Sequence, residues 1–464
     1  MARGWKVLAV ASITVFLVSL DVTIVNIALP EIVKDFRSDP TTLSWVLSAY
    51  NIAFAACLLT SGRIADRFGR RRVFFIGIWT FTVASALCGL APGTELLIAA
   101  RVAQAVGGAL IMPASLALVL PEFPVERRSA AIGVWGAVGG LAAAAGPIFG
   151  SILIDGIGWR GLFFVNMPLC VIAVVFGRRL LVESRDPNAS GLPDIAGALL
   201  ATSAVALIVL GIVEGHSWEW TSAKTVGTFT VGAVLLVMFI VRCARTPDPV
   251  LDLRLFEKRF FSVANASALL FSAGFFGMFY VNVRFLTEVW QYSVSGSGLA
   301  FAPGPFVSAL VAAPAGRLAD RYGHRVVVVP GTLTFAVGML MIATMVPDQP
   351  DYWRSYFPAF IVVGVGVGLT ISTIGAASNA FLPPDRFAMG GAVNATLRQI
   401  GSAFGVAIVV AIVGPGITPE GADNAFVFVG VASLLSGLLM WAMYRRPIAA
   451  VVPGATSEVA AAVP

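Results

Sequence analysis

Fourteen times along this chain a stretch of roughly twenty predominantly apolar residues recurs, each long enough for a helix to cross the hydrocarbon of a bilayer. The runs cover approximately residues 7 to 29, 42 to 61, 73 to 91, 95 to 120, 129 to 154, 160 to 182, 192 to 214, 222 to 242, 260 to 288, 296 to 316, 325 to 346, 356 to 380, 387 to 413 and 423 to 444. Composition agrees. Of 464 residues 58% are hydrophobic and only 12% charged, against about 25% charged in soluble globular domains. The expected fold is all-α and polytopic, with fourteen transmembrane helices.

Charge placement sets the topology and excludes other classes. The formal charge of +6 could suggest nucleic acid, but that needs basic clusters on a soluble fold, and here the excess sits in short loops between apolar runs. Loops on one side carry 23 arginines and lysines, those on the other side 5, and Arg101, Arg284 and Arg398 fall inside spans. The positive-inside rule makes both termini cytoplasmic, in a cell membrane. Arg3 and Lys6 before an apolar run resemble a signal peptide, but no small-residue cleavage site follows, so a retained first helix is expected. Cys57, Cys88, Cys170 and Cys243 lack CxxC spacing and suggest neither disulfides nor a metal site. None of the four lysines follows a glycine, so no phosphate-binding GxxxxGK[ST] loop is present.

The chain repeats itself. Residues 62 to 73 read GRIADRFGRRRV and residues 316 to 327 read GRLADRYGHRVV, an offset of 254. The same shift overlays the first six runs on the last six. This predicts an N-terminal six-helix half (1–183), a two-helix insert with its flanking loops (184–255), a C-terminal six-helix half (256–446) and a cytoplasmic tail (447–464). A pseudo-twofold along the membrane normal would relate the halves, with a substrate pathway on that axis.

Asp21 interrupts the first apolar run with no local partner. A carboxylate near the bilayer centre is costly; it is protonated, paired across helices or facing a wet cavity, and by default marks an ion or proton path. The plainer role is polar glue between helices. Arg101 lies about 9 Å past Glu95 on an inward-running helix and Asp21 about 12 Å below Leu29 on an outward-running one, so their depths are compatible. An arginine there does not deprotonate. One network joining Arg101 and Asp21, loosened when Asp21 takes a proton, is the expectation; a staple from Arg101 to backbone carbonyls is the alternative. The residues 254 positions from Asp21 and Arg101 are Phe275 and Ser355, which biases any coupling to the first half.

Arg284 and Glu288 stand one turn apart and read first as a self-neutralising pair at the membrane surface, with Glu288 as a second carboxylate for drug or proton as the alternative. Arg398, one turn after Asn394, lies deeper with no local partner and lines the expected cavity of the second half. Asp194 and Glu214 read as boundary residues of an inserted helix. Gly136 with Gly140 and Gly146 with Gly150 are GxxxG pairs that leave a groove for another backbone, and Pro147 permits a bend.

Several motifs in order resemble the fourteen-helix drug:proton antiporter branch of the major facilitator superfamily, over nearly the whole chain. They are LDxTxVNxALP at Leu20 to Pro30; the loop motif at Gly62, Asp66, Arg67, Gly69, Arg70 and Arg71, repeated at Gly316, Asp320, Arg321, Gly323 and Arg325; Arg101, Gln104, Gly107, Gly108 and Ala109, with Ala105 for the usual glycine; Gly133, Gly146, Pro147 and Gly150, with Ala142 and Ser151 substituted; and Trp159, Arg160, Phe163, Asn166 and Pro168. The resemblance implies a major facilitator fold and a proton-coupled, alternating-access exporter of drugs, antibiotics or other small hydrophobic, possibly cationic, compounds. From the residues themselves, proton coupling is expected at Asp21 and Arg101, and a substrate or second proton site among Asn26, Gln104, Arg284, Glu288, Asn394 and Arg398. The resemblance further implies an antiporter helix marked by Gly133, Gly146, Pro147 and Gly150, and a cytoplasmic latch at Gly62, Asp66, Arg67, Gly69, Arg70, Gly316, Asp320, Arg321 and Gly323 that links the halves. His324 replaces a basic residue there, which predicts a weaker second latch at neutral pH. The partners expected are a small-molecule substrate, protons and the bilayer, with no cofactor, no nucleic acid and a monomeric state. Export of an endogenous metabolite and proton-coupled uptake remain open. An intramembrane lipid enzyme would need clustered carboxylates or a nucleophile with a base, and the only two histidines are in loops.

Overall fold

A backbone in lipid finds no water to bond, so each apolar run satisfies its own N–H and C=O groups by coiling into a helix. The computed structural model describes residues 2–185, 194–247, 249–382, 387–414 and 416–445. Fourteen long helices follow: α1 Ala2–Phe36, α2 Pro40–Phe68, α3 Arg70–Gly89, α4 Thr94–Val119, α5 Val125–Ile157, α6 Asn166–Leu180, α7 Ile195–Trp218, α8 Ala223–Arg245, α9 Arg259–Arg284, α10 in two pieces Val294–Phe301 and Pro303–Tyr322, α11 His324–Met345, α12 Phe357–Asn379, α13 Phe387–Val413 and α14 Pro419–Met443. Twelve are single helices long and apolar enough to cross a membrane. Helix α2 adds a thirteenth as two segments, Thr42–Leu58 and Thr60–Phe68, bent by 48°. Helix α5, the remaining long helix, has many of its side chains outside the described residues.

Several helices outrun their apolar stretches. The first was expected to end at residue 29, yet α1 continues through Pro30 to Phe36. The apolar run marks only the hydrocarbon, about 30 Å thick, whereas 35 residues of helix span about 52 Å.

The halves repeat in packing as in sequence. Helix α1 packs on α5 as α9 does on α13, α2 on α4 as α10 on α12, and α3 on α4 as α11 on α12. The loop glycines match too: Gly69 (φ 110°) and Gly323 (φ 98°) each precede a helix in a conformation that L side chains avoid. At Gly69 a Cβ would also meet the Glu183 carboxylate. Gly69→Ala is therefore expected to lower stability by about 1–2 kcal/mol, seen as a lower melting temperature in detergent.

The inserted pair forms a hairpin. Asp194 caps α7 by accepting from the Gly197 N–H at 2.9 Å and is bound by Arg242 Nε of α8 at 2.7 Å. This fits the boundary role expected of Asp194. Helix α7 lies against both α2 and α13, along the junction of the two halves, and α8 lies outside it with a largely exposed apolar face.

The apolar core is asymmetric across the membrane. First-half residues away from the basic loops, such as Ile24, Leu29, Leu43, Leu47 and Phe163, share one core with second-half residues such as Phe279, Phe301, Phe360 and Val406. First-half residues nearer the basic loops, including Val7, Phe74, Leu118 and Leu181, form a separate core that, among the described residues, the second half touches at Ala395. The Val294–Phe301 piece of α10 packs more closely on α5 than Pro303–Tyr322 does. The halves are thus sealed on the side away from the basic loops and divided toward them.

Candidate functional site

Five helices of the first half converge on Asp21. The carboxylate and the Arg101 guanidinium are each 1% exposed and form an ion pair through Arg101 Nη1 and Asp21 Oδ2. Gln104 Nε2 donates to Asp21 Oδ1 at 2.8 Å, and Asn166 Nδ2 reaches the same oxygen at 3.3 Å. Arg101 Nη1 also donates to Gln104 Oε1 at 2.7 Å, and Arg101 Nε to the Val46 carbonyl at 3.3 Å. The guanidinium carbon lies 4.0 Å from the centroid of the Tyr50 ring, a cation–π contact strengthened by desolvation. Ser85 Oγ accepts from Asn166 at 3.0 Å and donates to the Phe163 carbonyl at 2.8 Å. Arg101 makes both of the contacts considered from sequence: it pairs with Asp21 and it donates to a backbone carbonyl.

A buried pair stands only when its remaining lone pairs and protons are bonded. Gln104 and Asn166 do that for Asp21. Asn166 was legible only as a motif member, and Ser85 and Tyr50 carried no sequence signal, because each comes from a helix distant in the chain. Asn26, expected near substrate, instead donates to the carbonyls of its own helix, Val22 at 3.0 Å and Thr23 at 3.4 Å.

Glycines of α5, among them Gly146 and Gly150 that were expected to mark an antiporter helix, lie against this site's own helix. A Cβ on Gly146 would overlap the Thr23 hydroxyl, one on Gly150 would crowd Ile24, and one on Gly139 would meet Ser19, all on α1 beside Asp21. The second half repeats the device one residue later than the 254 shift: a Cβ on Gly401 or Gly405 would overlap the carbonyls of Leu269 or Ala273 on α9. The surroundings of Gly133, Gly140 and Pro147 lie outside the described residues.

Arg284 clamps Glu288 with two bonds, 2.7 Å from Nε and 2.9 Å from Nη2, and reaches the Gly414 carbonyl at 3.2 Å. Arg284 is 5% and Glu288 39% exposed, as a surface-neutralised pair should be. Asn394 Nδ2 donates to Asn265 Oδ1 of α9 at 3.0 Å. Arg398 is partly exposed and has no hydrogen bond or ion pair among the described residues.

At the basic loop, Asp66 pairs with Arg70 at 2.8 Å. The Glu183 carboxylate accepts from the backbone N–H groups of Arg71 and Arg72 at 3.0 and 3.1 Å, an anion on the exposed N-terminus of α3. Glu183 was not anticipated, since nothing in sequence joins it to the motif. These bonds stay within the first half. Gly62 and Gly316 lie within α2 and α10. The Asp320 side chain lies outside the described residues, and Arg321 rests over Tyr322. On the opposite face Trp159 Nε1 and Arg160 Nη1 share Asp35 Oδ2 at 3.1 and 2.5 Å, tying α1 to the turn before α6.

The family model described as Major Facilitator Superfamily matches residues 11–282 and 264–463. The chain is 36% identical over 413 residues to the puromycin resistance protein pur8 of Streptomyces alboniger, covering 88% of this chain and 81% of that protein. It is 32% identical over 399 residues to the multidrug resistance protein Stp of Mycobacterium tuberculosis (85% and 73% covered). It is 31% identical over 445 residues to the multidrug efflux pump LfrA of Mycolicibacterium smegmatis (94% and 88% covered). A solved POT family transporter in complex with 5-aminolevulinic acid shares the fold, with a TM-score of 0.66 at 16% identity, covering 94% of this chain and 95% of that one.

Proposed function

The chain belongs to the Major Facilitator Superfamily, and we propose that it is a multi-pass cell-membrane exporter of drugs or antibiotics, driven by inward proton flow, with both termini cytoplasmic. The observation that carries proton coupling is the fully buried Asp21–Arg101 pair. Similarity to resistance and efflux proteins along most of the chain supports drug export. The excess of basic residues on one side supports the orientation. It acts as a carrier and not as a catalyst.

The residues suggest how the cycle runs. With Asp21 ionised, its charge holds α1 to Arg101 of α4. A proton on Asp21 removes the anion bonded to Arg101, leaving it, among the described residues, Gln104, the Val46 carbonyl and the Tyr50 ring. A buried cation without its anion costs several kcal/mol, which biases the first half toward another packing. Helix α1 moves with α5 because Gly146 and Gly150 let their backbones touch, and α5 also packs on α10 across the junction. A proton at Asp21 thereby reaches the contact between the halves.

The test uses everted vesicles carrying a pH gradient. Within a panel of anionic, uncharged and cationic drugs, at least one compound is expected to dissipate the gradient in vesicles containing the protein and not in vesicles without it. Drug binding to the purified protein with no dissipation would refute antiport.

A further inference from the structure

The charge balance of the membrane interior does not close. Asp21 is neutralised by Arg101, and Glu288 by Arg284. Arg398 remains, partly exposed on α13, with no hydrogen bond or ion pair among the described residues. Helices α9, α12 and α13 contain no Asp or Glu at all. Helix α2 has only Asp66, fifteen residues or about 22 Å along the helix from Asn51. Arginine holds its proton at any physiological pH, and an unpaired cation at this depth is expensive.

The surroundings of Arg398 define a strip between the halves. Asn394, one turn before it, and Gly401 and Gly405 beyond it face α9. Ser402, one turn after it, accepts from Asn51 Nδ2 of α2 at 2.9 Å, so that this face meets the first half. Asn51 is 4% exposed, yet its Oδ1 has no hydrogen-bond partner, a cost that buried polar groups rarely carry without a reason. A charged donor and an orphaned acceptor thus share the α2–α13 junction, beside the division that opens toward the basic loops.

We propose that Arg398, with Ser402 and Asn51, forms a subsite for an oxyanion, and that the exported compounds carry a carboxylate or comparable acidic group with a hydroxyl or N–H beside it. The oxyanion takes the guanidinium fork, the geometry for which arginine is suited, and the neighbouring donor satisfies Asn51 Oδ1. This deepens the export reading and rests on it for the word exported. It changes the substrate class expected from sequence, since an arginine with no counter-ion among the described residues repels the cationic compounds considered there.

The test is equilibrium binding to protein in lipid nanodiscs, read by fluorescence anisotropy with three probes: carboxyfluorescein (anionic), rhodamine 6G (cationic) and Nile red (uncharged). Wild type is expected to bind carboxyfluorescein at least about tenfold tighter than rhodamine 6G. Arg398→Gln should weaken carboxyfluorescein by about tenfold or more while leaving Nile red within about twofold, and Arg398→Lys should retain part of the affinity. Asn51→Asp, which supplies an internal counter-ion with Arg398 intact, should reproduce the loss and so separates charge from misfolding. Tighter binding of rhodamine 6G than carboxyfluorescein by wild type overturns the proposal, as does an equal loss of all three probes in monodisperse Arg398→Gln. Proton-driven efflux of the same probes from vesicles is scored separately. Efflux of any probe keeps the export reading standing when the anionic preference fails, and anion-selective binding without efflux counts against export alone.

Discussion

Replacing Asp21 by Asn is expected to reduce drug-dependent proton release to the level of empty vesicles and to destabilise the fold by about 3–5 kcal/mol, because Arg101 keeps its charge and loses its anion. Asparagine still offers Oδ1 to Gln104 and Asn166, so the damage falls on the charge and not on the hydrogen-bond scaffold. The double variant Asp21→Asn/Arg101→Gln removes both charges and should recover most of the stability with no recovery of coupling. Thermal unfolding in detergent and proton release in vesicles give the two readings. Proton release that survives in the double variant would make the pair a structural staple and move coupling elsewhere.

The second large effect lies in the other half. Gly405→Ala sets a methyl group into the backbone carbonyl of Ala273 on α9, where no side chain can rotate away, and α9 and α13 must separate. Overpacking costs about 1–3 kcal/mol in well-packed cores, and a clash with backbone belongs at or above the upper end. Gly136→Ala is the control. No atom lies within 4 Å of a Cβ there, and alanine suits a helix better than glycine by about 0.5–1 kcal/mol, so its melting temperature should hold or rise. Equal melting temperatures for the two variants would mean that the α9–α13 contact is looser than its geometry implies.

The expected latch between halves shows, in the bonds described above, contacts within the first half. Asp66 pairs with Arg70, and Glu183 accepts from the Arg71 and Arg72 backbone N–H groups, on the side where the halves are divided. A charge network that links the halves needs them close, and here they meet on the opposite side.

The long helices, the repeated loop motif and the shared depth of Asp21 and Arg101 were legible in sequence because each follows from a one-dimensional rule. Apolar run length fixes a span, basic loops fix a side, a 254-residue offset fixes a repeat, and equal depth on antiparallel helices puts two charges at one level. Other features needed the packed structure. Tyr50, Ser85 and Asn166 join the site only because α2, α3 and α6 converge on α1, and no spacing within any one helix records that. The same holds for Gly401 and Gly405, whose match to Gly146 and Gly150 is displaced by one residue and so escapes a fixed shift. Sequence determined which residues carry charge into the membrane. Tertiary structure decided which of those charges are neutralised, because neutralisation depends on distances between helices far apart in the chain, and of the three arginines inside the spans it left only Arg398 without a partner among the described residues.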